Sequence, residues 1–323
     1  MTDCGRPAGG FVELPRSVDL DPASAACITA ARLTRVVVIG APSGCGTTSL
    51  LTGLYERFLR VPAFGEYCFA GSETLVGFEQ RCHHARVGSG LAGPGLEPTP
   101  PTLPPVLLHL RVRRADLAAP SRDLLLTEID GISFQQAKDS SEAMARLGVL
   151  KRADRLVLGV DGAQLADPTR RFAVTAAVRD FLRRACDIGM VGPGGRIDIV
   201  VTKWDAVEAL ALTTRADVTA RLDRLSHRLR DDFTARVATL RFGRTAARPA
   251  PGSTLPPGYG LAELLPAWVE DGGVSPQQTV SLGVPLVHRE IDRFRSPPAI
   301  ASTGSRDAGP PTAQPSQTLS DGP

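Results

Sequence analysis

The chain has 323 residues, 42% of them hydrophobic, enough to bury a full core as one large domain or two small ones. Its 37 Lys and Arg against 34 Asp and Glu leave a net charge of +3. The arginines are spread along predicted helices beside acids, which argues against a dedicated nucleic-acid surface. An apolar run of about 18 residues, as a membrane span requires, occurs nowhere, and Met1 to Pro15 lacks the pattern of a signal peptide. The six cysteines (Cys4, Cys27, Cys45, Cys68, Cys82, Cys186) form no C-x-x-C pair and read as reduced thiols of a cytoplasmic protein.

In chain order, residues 1–20 are punctuated by Gly and Pro and predict a loose N-terminal segment. Asp21 and Pro22 predict the N-cap and first turn of a short Ala-rich helix reaching Leu33. The β-branched run Val36 to Ile39 predicts a buried strand. It breaks into a Gly-rich turn and then a helix with Leu50, Leu51, Leu54 and Phe58 on one face. Phe64 to Ala70 predicts a strand and Glu73 to Ala85 a short helix. Cys82-His83-His84 at its end makes a poor metal site, because adjacent histidines on a helix point apart.

Gly88 to Pro105 predicts a long irregular loop. Val106 to Val112 and Leu124 to Ile129 predict two strands, antiparallel because their connection is short and lacks a helical pattern. Phe134 to Leu147 predicts a helix, Arg155 to Val160 a buried strand ending at Asp161-Gly162, and residues 166–188 an Arg-rich amphipathic helix. Ile197 to Val201 predicts a strand, and Val218, Leu222, Leu225, Leu229 and Phe233 mark one face of a long helix. Val237 to Phe242 predicts the last strand, and Gly260 to Trp268 opens a final helix. The Pro, Gly, Ser and Thr content after Ser296 predicts a disordered tail over 296–323, leaving 21–295 as the folded part.

Strands alternating with helices predict an α/β fold with a mostly parallel sheet and ligands at the carboxyl ends of its strands. The sequence around Val36 carries the clearest such site. Strand, Gly-rich loop and helix in that order suit an anion-binding loop, in which Gly44 and Gly46 let backbone N–H groups curl round a phosphate at a helix N-terminus. Its pattern is Ala41-x-x-x-x-Gly46-Thr47-Thr48, so a threonine, Thr47, stands where the motif has lysine. The three lysines of the chain are Lys138, Lys151 and Lys203, so none lies nearby in sequence. Arg57 or Arg113 is a candidate substitute, though a guanidinium fork differs from a compact ammonium.

Two further strand ends carry chemistry. Thr202-Lys203-Trp204-Asp205 matches the [N/T]-K-x-D guanine-recognition motif. A carboxylate there accepts hydrogen bonds from guanine N1–H and the 2-amino group, which adenine cannot supply. Glu128-Ile129-Asp130-Gly131 stands where GTPases carry D-x-x-G, with Asp130 as a possible surrogate acid. Ile132 follows, at a position that in many GTPases orients the attacking water.

These motifs resemble the Ras-like, translation-factor-related GTPases. With Leu54 to Leu59, Phe69 to Ser72, Gly77 to His83 and Lys151 to Arg155, they resemble more closely the bacterial double-GTPase family, over roughly Pro15 to Arg295. The resemblance implies a Ras-like P-loop NTPase fold: a mostly parallel central sheet, one antiparallel strand and helices on both faces. It implies GTP or GDP, weakly held, with Mg²⁺ as a candidate ion. Gly44, Cys45, Gly46, Thr47, Thr48, Ser49 and Gly131 would face the phosphates. Thr48, Glu128 and either Thr99 or Thr102 would serve the metal. Thr202, Lys203 and Asp205 would hold guanine, and Thr245-Ala246 would approach its O6. A protein partner, such as another GTPase-like protein of a multi-gene bacterial system, is also implied, with no nucleic acid and no membrane. Thr47, Glu128 and Ile132 depart from the pattern at phosphate and hydrolysis positions. That asymmetry favours a pseudo-GTPase with regulatory or scaffolding work; an active but slow GTPase is the alternative.

Overall fold

Strand β1 (Thr34–Gly40) occupies the middle of the sheet because its residues are apolar towards both faces, as a doubly covered strand requires. In the computed structural model, which describes residues 17–83, 106–115 and 120–270, it pairs in parallel with β4 (Arg122–Ile129) on one side and β5 (Arg155–Asp161) on the other. Strands β6 (Arg196–Thr202) and β7 (Thr239–Arg244) extend the parallel sheet beyond β5. On the opposite side β3 (Leu108–Arg114) runs antiparallel to β4, and β2 (Tyr67–Gly71) antiparallel to β3. The order is β2-β3-β4-β1-β5-β6-β7. The expected fold is thus present, with β3 as its single reversed strand.

Alternation along the strands sends successive side chains to opposite faces. Val36 and Val38 join one core with α1 (Pro22–Ala31), α4 (Gly131–Asp139), α7 (Arg171–Asp187) and α9 (Leu212–Phe233). Val37 and Ile39 join the other with α2 (Thr47–Arg60), α3 (Leu75–His83) and α10 (Leu261–Val269). Phe134 stacks on Phe181 across α4 and α7, centroids 4.4 Å apart, and Tyr55 stacks on Phe78 across α2 and α3 at 4.7 Å.

Several boundaries moved for local reasons. The single helix expected over Phe134 to Leu147 is two, α4 and α5 (Ser141–Arg146). Ser140 adopts an extended conformation between them and its hydroxyl caps Ala143 N–H. A short α6 (Gly162–Ala166) and a turn precede α7, so that helix starts five residues later than expected. Asp21 does cap α1, accepting from Ser24 N–H at 2.6 Å. Of the segment expected to be loose, residues 17–20 are described, and Leu20 is buried with its N–H on the Leu107 carbonyl. The five described cysteines are free thiols. The expected tail, 296–323, lies outside the described residues.

One buried polar cluster ties the last helix to the sheet. Arg155 donates to Asp198 at 2.8 Å, and the indole N–H of Trp268 on α10 donates to the other carboxylate oxygen at 3.0 Å. Asp198 is 1% exposed, so removing the guanidinium would strand a charge in the interior. Arg155→Ala is expected to lower stability by about 3–5 kcal/mol, read from urea unfolding monitored by tryptophan fluorescence.

Candidate functional site

The loop between β1 and α2 depends on two left-handed glycines, Gly44 at φ 76° and Gly46 at φ 92°. Gly46 is also the N-cap of α2 and supplies no side-chain cap, so the first-turn N–H groups face outward for a ligand. Cys45 turns inward: it is 1% exposed, and burial pushes its thiol up to about 12, which makes it a packing residue whose backbone alone can meet a phosphate. Thr202, from the guanine-recognition motif, is buried beneath it and donates to the Cys45 carbonyl at 2.6 Å. That threonine therefore braces the loop. Ser49, in the first turn of α2, is half-buried.

The register of β1 against β4 puts Glu128 opposite Ile39, at the mouth of the same loop. Thr48 donates to its carboxylate at 2.8 Å, and the Thr47 hydroxyl lies close enough to favour the charged form. Burial pushes the Glu128 carboxyl above its ordinary range. The two hydroxyls, and the Arg81 guanidinium within electrostatic reach, pull it back. A hydroxyl beside a carboxylate is an all-oxygen donor pair of the kind Mg²⁺ takes. With the uncapped helix start, these residues fit a metal-bound phosphate group. Asp130, the candidate surrogate acid, is the N-cap of α4, one carboxylate oxygen accepting from Ile132 N–H at 3.1 Å and Ser133 N–H at 2.9 Å. The Ile132 side chain is 56% exposed, with nothing polar to offer a water. Gly131 lies so close to the loop that a Cβ would fall 2.4 Å from Ser43 N, so the position has to be glycine.

At the base end, Lys203 takes a left-handed conformation (φ 50°), its stem passing over Gly46 and its ammonium held by Asp161 at 2.8 Å. Asp161 caps α6 as well. Asp205, in α8 (Trp204–Glu208), accepts from Ala250 N–H at 2.9 Å through one carboxylate oxygen. The Thr245 amide is spent on the Val201 carbonyl and the Ala246 amide on that of Tyr259, so neither N–H is free to meet a guanine O6. The Thr245 hydroxyl, by contrast, is buried with no hydrogen-bond partner among the described residues. A carboxylate and an unanswered hydroxyl after the neighbouring strands β6 and β7 suit a base edge that both donates and accepts.

Neither arginine considered as a lysine substitute sits at the phosphates. Arg57 lies ten residues into α2, roughly 15 Å along the helix from Thr47, over the Phe64 ring. Arg113 pairs with Cys68 near the end of β3 remote from Glu128. Arg81 went unnoticed in the sequence, because its position depends on the direction α3 takes. Thr99 and Thr102 lie outside the described residues.

A family model described as Double-GTPase 2 matches residues 34–269. Among solved structures, the chain is similar to the signal recognition particle receptor SRb-GTP/SRX complex from Chaetomium thermophilum. There the identity is 16% and the TM-score 0.35, over 68% of this chain and 93% of that one. It is similar also to the GTP-bound Ski7 GTPase-like domain of S. cerevisiae, at 11% identity and TM-score 0.40, over 77% of this chain and 52% of that one. No curated protein matches it in sequence.

The Thr202–Cys45 bond gives a direct test of the bracing. Thr202→Val keeps the shape and leaves a buried carbonyl unanswered, which is expected to cost about 1–3 kcal/mol. Hydrogen exchange followed by mass spectrometry should show faster exchange across Ser43 to Gly46, with the distant β3 unchanged.

Proposed function

The chain belongs to the Double-GTPase 2 family, and from that premise we propose that it binds guanine nucleotide and turns it over poorly or not at all. Its work would be regulatory or scaffolding, in a multi-protein bacterial system and alongside a protein partner. The observation that supports this reading is the split in the site: Lys203 and Asp205 keep the guanine-recognition pattern, while the Thr47 and Ile132 positions offer neither an ammonium nor a water-orienting group.

In this reading the backbone from Gly44 to Thr48 cradles the phosphates, and Thr48 with Glu128 holds Mg²⁺ directly or through water. The ion would supply charge neutralisation at the β- and γ-phosphates. Asp205 reads guanine N1–H and the 2-amino group. The oxygen now taken by Ala250 N–H has a second lone pair, so the base can share it. Losing a charge-assisted contact to phosphate costs roughly 1.5–3 kcal/mol, about ten- to over a hundredfold in affinity. Hydrolysis suffers further, because phosphoryl transfer depends on positioned charge and a positioned water. Ile132, apolar and exposed beside the site, suits contact with a protein partner better than catalysis. Among the described residues no helix is long and apolar enough to cross a membrane. The intact Thr48–Glu128 pair favours the second reading, a slow but active GTPase.

Thr47→Lys is expected to strengthen GTP binding by about 1.5–3 kcal/mol, with hydrolysis still poor because Ile132 is unchanged. Titration calorimetry with parallel turnover assays checks both halves, and rapid hydrolysis by the unaltered chain would overturn the pseudo-GTPase reading. Asp205→Asn is expected to weaken GTP and favour xanthosine triphosphate, whose 2-oxo group wants a donor. Competition binding between the two nucleotides measures this, and equal affinity of the parent for ATP and GTP would refute the base assignment.

A further inference from the structure

Helix α3 climbs towards the phosphate end of the sheet. Thr74, just before it, accepts from His109 N–H, and His109 lies opposite Leu125. One turn on, Gly77 packs tightly on the Val18 carbonyl and next to the Leu108 side chain, 3.1 Å from where a Cβ would lie; Leu108 is opposite Leu126. Each step along α3 therefore advances along β4 towards Glu128. Another turn, roughly 6 Å at helical rise, brings the chain to Arg81. The stacked pair Tyr55–Phe78 and the hydrogen bond from Tyr55 to Glu79 fix α3 along α2, the helix that starts at Thr47.

We infer that Arg81 supplies from α3 the phosphate-neutralising charge that the loop lost when threonine took the lysine's place at position 47. The inference rests on the nucleotide-binding reading above and names the residue that keeps such binding possible. Arg81 is half-buried, and one guanidinium nitrogen donates to the Gly77 carbonyl at 3.1 Å, which anchors the side chain along its own helix. A guanidinium carries five N–H donors, so an anchored arginine still has hydrogens to offer a phosphate. The direction of α3 brings Arg81 to the level of Glu128, and its guanidinium lies within electrostatic reach of that carboxyl. Glu128 alone would repel an incoming triphosphate, and Arg81 offsets that repulsion.

The test is a double-mutant cycle on Mg²⁺·GTP affinity: the parent, Arg81→Gln, Thr47→Lys and the double variant, with Arg81→Lys as a charge-retaining control. Arg81→Gln should weaken binding at least tenfold in the parent. In the Thr47→Lys background the same change should weaken it less than about threefold, because the restored ammonium makes the arginine redundant. Arg81→Lys should stay within about threefold of the parent, with melting temperatures unchanged throughout. Equal losses in both backgrounds, a loss as large with Arg81→Lys, or no loss in the parent would each overturn the assignment while leaving nucleotide binding standing. If the parent binds no GTP at millimolar concentration, the nucleotide reading falls and the role of Arg81 with it.

Discussion

The parallel register that sets Ile39 of β1 opposite Glu128 of β4 is the constraint on which the candidate site depends. A slip of one residue would turn both strands' side chains to the wrong faces and lift the carboxylate away from Thr48. Because both cores are built on alternate residues of the same strands, the register is held by the burial of Val36 to Ile39 and Leu124 to Leu126 together. The polar geometry at the strand ends is inherited from that apolar packing. Thr202 adds the corresponding brace from β6, where one hydroxyl ties the position of the loop to the strand that leads into Lys203 and Asp205.

Thr47 and Glu128, two departures from the usual pattern, meet in space. In the usual arrangement an ammonium and a shorter acid occupy this end of the site. Here the Thr47 hydroxyl lies beside the longer acid, and the neighbouring Thr48 donates to it at 2.8 Å. The Thr48 hydrogen bond answers that carboxylate without a ligand. The loss of the lysine moves the source of positive charge away from the loop. The base end is set differently: Lys203 is already ion-paired to Asp161, and Asp205 already accepts from Ala250, so that end is pre-organised by the protein itself.

Most of the fold was legible in the sequence because it is written in periodicity. The apolar runs at Val36, Leu124, Arg155 and Ile197 are all strands, and the short link between Val106–Val112 and Leu124–Ile129 does join antiparallel neighbours. What stayed hidden were roles set by partners far apart in sequence. The break at Ser140 hid because Phe134, Met144 and Leu147 keep an apolar spacing through it. Asp130 reads as a candidate ligand until its cap on α4 is seen, and the Ala246 amide reads as available until Tyr259 is found on it. Arg81 could not be placed because nothing in the run Glu73 to Ala85 says which way the helix points.

Thr47 also changes how this protein responds to chemical labelling. Nucleotide reagents that acylate an amine beside bound phosphates depend on a lysine at that position. In this chain they would meet a hydroxyl there, beside the Glu128 carboxyl. The lysine that the structure places in the site, Lys203, lies at the base end with its ammonium on Asp161. A survey of nucleotide-binding proteins by such reagents would therefore count this one as empty even when fully loaded.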